Sequence, residues 1–290
     1  IIFENRNPVK TIAWCMVLAF MPVIGLLLYI LFGMDNRHRR LIKEDDLSRL
    51  KGITEIIQGQ DISSDIPAQY KPLAGMLHKM NRAYPLSGNN VEIITDFQTM
   101  SDRLIADIEG ARHHINMLFF KFEDDAAGRR IADALIRKSE EGVLVRLIYD
   151  DAGNLMVPRR FYRKLRKHGI QVRGFIRIFL PILSRDYNSR NHRKVVVIDG
   201  RVGYMGGMNI AQRYAEGLKW GIWRDTHMRI TGPAVSELQT SFLTDWKFTK
   251  GDEPDLAPMY PYNPPCGNTL MQIVTGGPMD KWNVMMQAYM

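Results

Sequence analysis

The sequence predicts an α/β layered fold, and three observations carry that reading. From Val91 onward, short runs rich in β-branched and aromatic residues alternate with amphipathic segments of helical period. The run VLVRLIYDD is almost continuously apolar, as expected of a strand covered on both faces. Two β-branched runs flank Asp199-Gly200, a strong hairpin signal. Together they point to a sheet packed between helices.

The elements follow in order. VEIITDF reads as a strand and turn. QTMSDRLIADIEGAR reads as a helix with Met100, Leu104, Ile105 and Ile108 on one face. HINMLFFKF is a strand, and AAGRRIADALIRKSEEG is a helix stopped by Gly142. VLVRLIYDD, the helix VPRRFYRKLRKHG and the strand IQVRGFI continue the alternation. The hairpin HRKVVVIDGRVGYMGG, the strand WRDTHMRITG and the closing helix PAVSELQTSFLTDWKF complete the unit. Residues 251–269 are rich in Pro and turn residues and read as a linker. MQIVTGGPMDKWNVMMQAYM then repeats the strand, turn and helix design of VEIITDFQTMSDRLIADI. A second copy of the unit is expected to begin near Leu270, although two short amphipathic stretches can match by accident.

Ahead of this unit, 24 uncharged residues separate Lys10 from Asp35. A helix of that length reaches about 36 Å, enough for a hydrocarbon core of roughly 30 Å. Trp14 and Tyr29 near its two ends suit the interfaces, and Pro22 is expected to kink it. A secretory signal would have a shorter apolar region and a small-residue cleavage site. Arg37, Arg39, Arg40 and Lys43 outweigh Arg6 and Lys10, so the positive-inside bias places residues 35–290 in the cytoplasm. The first residue is Ile rather than Met, so we expect the natural start to lie upstream, with Ile1-Ile2-Phe3 as the tail of an earlier apolar segment. The expected organisation is a membrane anchor (1–34), polar membrane-proximal helices (35–87), a catalytic α/β unit (88–250), a linker (251–269) and the start of a second unit (270–290).

The 290 residues are 46% hydrophobic and 24% charged, which excludes a disordered or collagen-like chain. A net charge of +8 favours an anionic partner without choosing among nucleic acid, bilayer and phosphate substrate. Cys15 and Cys266 form neither a disulfide framework nor a zinc set. Residues 159–177 hold eight Lys or Arg and no acid. Such a run is ordinarily a solvated face, but beside an anchor it suits attraction to anionic lipid. IFLPIL at 178–183 reads equally as a lipid-facing segment or as a buried loop.

The chemistry concentrates in NHRKVVVIDGRVGYMGGMN. His192 and Lys194 are two apart, so a strand puts both on one face. An imidazole beside an ammonium is a good phosphate site. The amine neutralises phosphoryl oxygens, and the imidazole attacks phosphorus or moves a proton. Asp199 occupies the turn, where an acid holds the hairpin or bonds nearby backbone. Gly206-Gly207 permits close approach of a ligand, and Asn209 offers an amide to a phosphate oxygen. An isolated His-x-Lys would be an ordinary surface pair. Here the string runs His-x-Lys, four residues, Asp, six residues, Gly-Gly-x-Asn, which is the signature of the phospholipase D superfamily.

With ENRNPVKTIAW before the apolar run, RNHRKVVVIDGRVGYMGGMNI, and WRDTHMRITGPAV with a later DW, the chain resembles the first half of the bacterial cardiolipin synthases. The resemblance covers essentially the whole chain. Family members carry two N-terminal helices and two such motifs, whereas this chain shows one of each, and AQRY after Ile210 departs from the family's acidic version. The resemblance implies a phospholipase D-like domain with a catalytic set of His192, Lys194, Asp199 and Asp225, and Gly206, Gly207 and Asn209 at the substrate. Asp225, in WRDTH, is expected to hold the imidazole; His227 reads as a satisfied structural histidine. No metal or other cofactor is implied. The implied reaction joins two phosphatidylglycerols into cardiolipin and glycerol through a phosphohistidine at a bacterial inner membrane. A second histidine, from a second half or a second copy of the chain, would protonate the leaving alcohol. A hydrolase of the same superfamily, lipase or nuclease, and a non-catalytic membrane scaffold are the alternatives; nucleic acid is not the expected partner.

Overall fold

The structure, a computed structural model, describes residues 8–33, 66–175, 190–219, 221, 223–276 and 284–289. The IFLPIL segment and most of the membrane-proximal region lie outside the described residues.

The N-terminal apolar run does not form the single spanning helix expected of it; at Pro22, where a kink was expected, it breaks. Helix α1 (Pro8–Phe20) ends at Met21, and α2 (Pro22–Leu28) begins at once and passes into a π-helical turn, Tyr29–Gly33. Pro22 has no N–H to continue the ladder, and Met21 takes a non-helical φ of −137°. The two pieces double back. The rings of Trp14 and Tyr29 are 5.4 Å apart, whereas fifteen residues of straight helix would separate them by about 22 Å. They therefore do not mark opposite interfaces. Gly25 packs on the backbone at Val17, leaving no room for a Cβ. Val9, Phe20 and Val23 face outward. Among the described residues no helix is long and apolar enough to cross a membrane.

The remainder is one mixed sheet between two helical layers. After α3 (Lys71–Asn81), β1 (Leu86–Ile94) starts five residues before the expected Val91. The polar LSGNN stretch is drawn into the sheet because β1 has partners on both sides. Then come α4 (Phe97–Glu109), β2 (His114–Phe119), α5 (Ala126–Glu140), β3 (Leu144–Asp150), α6 (Arg159–Lys167) and β4 (Gln171–Phe175). Side chains of Asp96 and Asp125 cap α4 and α5 at Thr99 N–H and Gly128 N–H, both at 2.8 Å. The hairpin β5 (Val195–Ile198) and β6 (Val202–Gly206), the short α7 (Arg213–Glu216), β7 (His227–Thr231), α8 (Val235–Phe248), β8 (Thr269–Met271) and α9 (Val284–Tyr289) follow.

Strand order is β4-β3-β2-β5-β6-β7-β1-β8. β4, β3 and β2 are parallel; the other pairings are antiparallel. Met100, Leu104 and Ile108 of α4 pack with Ile131 and Leu135 of α5 and Leu165 of α6 on one face, against Ile115, Met117, Phe119, Val196 and Ile198. On the other face Val235, Leu238, Phe242 and Trp246 of α8 cover Leu118, Val195 and Val197. Every residue of β2 and β5 is buried, which suits the unbroken apolar run of β5; β2 buries His114 and Asn116 among its apolar residues. Residues 251–268 lack regular strands but are docked: Met259 and Tyr260 are buried, and Asn263 donates to Gly200 O at 2.8 Å. The strand expected to open a second unit joins this same sheet, with β8 pairing β1 at its edge.

Segment 272–276 is strapped across α3 and α8. Gln272 donates to Ala74 O and Ala83 O at 3.0 Å, and Asn81 and Thr275 exchange two hydrogen bonds at 2.8 Å. Beneath it lies Glu237, buried and accepting from Tyr84 N–H at 2.7 Å. Burial pushes this carboxyl up to about 8, against the opposing hydrogen bonds from Tyr84 and Ile273. Between pH 4.5 and 8 the folded state keeps a proton that the unfolded state has lost, so stability falls as pH rises. Glu237→Gln should therefore stabilise the fold by about 3 kcal/mol at pH 7, with the gain vanishing below pH 4.5, as read from thermal unfolding across that range.

Candidate active site

The site lies where β2, β3 and β4 end and β5 begins. Because β5 is antiparallel to β2, the residues just before Val195 meet the C-terminal edge of the parallel strands. This is the edge at which open α/β sheets place ligands, since backbone and loops there leave a crevice. Alternation puts Lys194 and His192 on the side of Val196. Lys194 Nζ is 3.0 Å from His192 Nδ1, 3.3 Å from Nε2, and donates to the His192 carbonyl at 2.7 Å. Phe120, just beyond β2, lies 4.6 Å from the imidazole and 5.6 Å from the amine.

Lys194 is buried and His192 exposed. Burial pulls the amine down to about 8, opposed by the charge of Asp225. Burial and the neighbouring ammonium hold His192 below its ordinary 6.5, with Asp150 and Asp225 opposing. At neutral pH the imidazole is therefore uncharged, the form able to attack phosphorus, and the amine beside it is largely ammonium.

Two anchors hold the chain leading into β5. Asp150, buried at the end of β3, accepts from Asn191 N–H at 3.1 Å and from Ala152 N–H at 2.9 Å. Arg193, on the opposite side of the chain from His192, places Nη1 2.8 and 2.7 Å from the Asp245 carboxylate oxygens of α8. Its Nη2 donates to Gly276 O at 2.8 Å. Sequence reading missed Phe120, Asp150, Arg193 and Asp245. The acid that ends the apolar strand VLVRLIYDD was a legible signal for Asp150, because polar residues at that strand end face a crevice; Asp245 stood in the DW quoted for the resemblance but without a role, and Phe120 and Arg193 carried no signal.

The remaining expected residues take different places. Asp199 sits at the far end of β5 from His192, with φ +52°, and joins the hairpin to the chain entering β2. Its carboxylate accepts from Arg112, His113 and His114 N–H at 2.8, 2.8 and 2.9 Å, the backbone role its turn position suggested. Asp225 accepts from Thr226 N–H at 2.7 Å and packs on Gly207, where a Cβ would lie 2.0 Å from its Oδ1. It acts on His192 through charge; the hydrogen-bonding neighbour of the imidazole is Lys194, not Asp225. Gly206 allows close approach of His227, so the glycine pair makes room for β7 and its acid rather than for a ligand alone. Asn209 is buried, accepting from Lys121 N–H at 3.0 Å and donating to the Tyr214 hydroxyl at 2.8 Å; its amide braces loops instead of reaching for phosphate. His227 is buried and stacked on Phe119, with no protein partner at either ring nitrogen, so it is not the satisfied histidine expected. Burial drives it down to about 4.

Two outcomes follow. Asp199→Ala should cost about 1–2 kcal/mol, chiefly through the part-buried His114 N–H, since the Arg112 and His113 N–H groups can turn to water, with Asp199→Asn costing less; thermal unfolding checks the loss and NMR titration should find His192 unchanged. Activity should fall in acid as His192 gains its proton below its ordinary value, and in alkali near pH 8 as Lys194 loses its own. Lys194→Arg should lift the alkaline limb above about pH 10 in a pH–rate profile.

A family model described as "Cardiolipin synthase, PLD-like domain" matches residues 104–246, and one described as "Phospholipase_D-nuclease N-terminal" matches residues 1–33. A cardiolipin synthase of Oceanobacillus iheyensis is 36% identical over 299 residues, covering 100% of this chain and 62% of that protein. The major cardiolipin synthase ClsA of Bacillus subtilis is 36% identical over 302 residues, covering 99% and 62%. A phosphatidylserine synthase structure from Haemophilus influenzae is 18% identical with a TM-score of 0.48, covering 59% of this chain and 40% of that one. The chain spans about three fifths of the length of the curated relatives it matches. His192, Lys194 and the strands that carry them fall inside the matched domain, and residues 104–246 are similar to the phospholipase D-like domain of cardiolipin synthases.

Proposed function

We propose that the chain is the histidine-bearing first part of a phosphatidyltransferase that makes cardiolipin and glycerol from two phosphatidylglycerols. The observation that carries this reading is the neutral His192 imidazole held against the buried Lys194 ammonium at an open sheet edge. A ring nitrogen of His192 attacks phosphorus as the bond to the terminal glycerol breaks, and that glycerol leaves with a proton. A hydroxyl of the second phosphatidylglycerol then attacks the phosphohistidine, giving up its proton as cardiolipin forms and the imidazole is released. Lys194 neutralises the charge that gathers on the phosphoryl oxygens in both steps. Asp225 keeps the amine charged and steadies the imidazolium if one forms.

His192 cannot also move the leaving group's proton while it is bonded to phosphorus. A second acid-base group is assigned to a second half or a second copy of the chain. The exposed apolar surface of α1 and α2 supports a membrane site, a bacterial inner membrane on this reading, with the catalytic part on the cytoplasmic side as the flanking charge suggests.

Purified full-length protein given phosphatidylglycerol vesicles should yield cardiolipin and glycerol in equal amounts. Phosphatidic acid in place of cardiolipin would mean hydrolysis instead of transfer. His192→Ala should lower turnover by at least about a thousandfold, and an alkaline denaturing quench, which preserves the acid-labile P–N bond, should lose the phosphatidyl label from this residue.

A further inference from the structure

The loops around the His192 edge carry side chains that the core does not use. Between β3 and α6, Leu155 and Met156 are 51% and 95% exposed. They are not on a loose tip. Asn154 accepts from Phe122 N–H at 2.8 Å and donates to Phe120 O and Asp150 O at 2.7 Å, so the turn is fastened to the floor of the site. On the other side, the chain entering β7 exposes Trp223, its ring 5.4 Å from Tyr214. β3 and β7 each stand two places from β5 in the sheet, about 10 Å at ordinary strand spacing. The apolar groups therefore flank the strand headed by His192.

The charge of this rim is positive. Arg159 and Arg160 open α6, Lys219 and Arg224 flank Trp223, and all four are exposed without an ion pair among the described residues. The acids of the loop after β2 are engaged elsewhere: Glu123 with Lys121 and Arg213, Asp124 with Arg129, and Asp125 with the first turn of α5 and Gln212 N–H; Asp225, beside Arg224, is turned onto Gly207 and Thr226 N–H.

We propose that this edge is a docking surface for an anionic lipid bilayer. Leu155, Met156 and Trp223 enter the interfacial layer, Arg159, Arg160 and Arg224 bind lipid phosphates, and His192 faces the headgroups. The identity of the substrate rests on the lipid-transfer reading above; the docking does not need turnover. A bilayer fits better than a nucleic acid because a thioether and an isobutyl group gain nothing from a phosphate backbone but gain by leaving water for hydrocarbon. Clustered arginines add attraction to an anionic surface, weakened by salt.

The test places an environment-sensitive fluorophore at Met156→Cys in the full chain carrying Cys15→Ser and Cys266→Ser. A control label goes at Leu144→Cys, at the opposite end of β3. In equimolar phosphatidylglycerol and phosphatidylcholine vesicles, the label at 156 should shift to the blue and be quenched by spin-labelled acyl chains, about threefold more than in phosphatidylcholine alone. Arg159→Glu with Arg160→Glu should abolish the difference, and the label at 144 should not respond. A label at 156 that stays in water, equal quenching in uncharged vesicles, or shielding by single-stranded DNA but not by lipid would overturn the proposal. Docking without transfer would leave this surface standing and reject the substrate; transfer with residue 156 in water would do the reverse.

Discussion

The amine of Lys194 has been taken out of water and set against an imidazole, and the site's electrostatics depend on that desolvation. Burial costs a cation its hydration, so the ammonium is held less firmly than in solvent. Partial desolvation of the more exposed imidazole, with the adjacent positive charge, holds His192 below its ordinary titration range. The pair exists only because β5 is covered on both faces, by α4 and α5 on one side and by α8 on the other. A His-x-Lys on a solvated hairpin would have the same order of residues, with both groups near their ordinary titration ranges.

Covering the strand is not enough; the pair must also be aimed. The chain before Val195 has no ladder partner of its own, and its position comes from Asp150 on the Asn191 backbone and from Asp245 on Arg193. Arg193 also reaches Gly276, at the end of a strap fixed to α3 and lying over Glu237. The segment that follows the domain thus touches the residue between His192 and Lys194.

At the N-terminus a single proline has a large effect. The run from Thr11 to Met34 has the length and composition of a spanning helix, yet Pro22 removes one ladder donor and α2 folds back on α1 through Gly25. Apolar composition describes what such a segment dissolves in; it does not decide whether the segment runs straight. That is settled by the broken hydrogen bond and by whether a small residue lets two backbones meet.

Element order, the buried character of β3, the hairpin at Asp199, and the shared face of His192 and Lys194 were all legible from the sequence by itself. Each follows from a rule acting over a few residues: strand alternation, helical period, or turn chemistry. Asp199 was readable as a backbone anchor for the same reason. Tertiary structure alone decided that Asn209 spends its amide on Lys121 and Tyr214, that Asp225 leans on Gly207 without bonding the imidazole, and that Phe120 and Arg193 belong to the site. It also decided that LSGNN is strand and that β8 joins the sheet beside it. These are contacts between residues dozens to hundreds of positions apart. Local periodicity holds no record of them, because what selects them is which buried polar group finds a partner once the layers have closed.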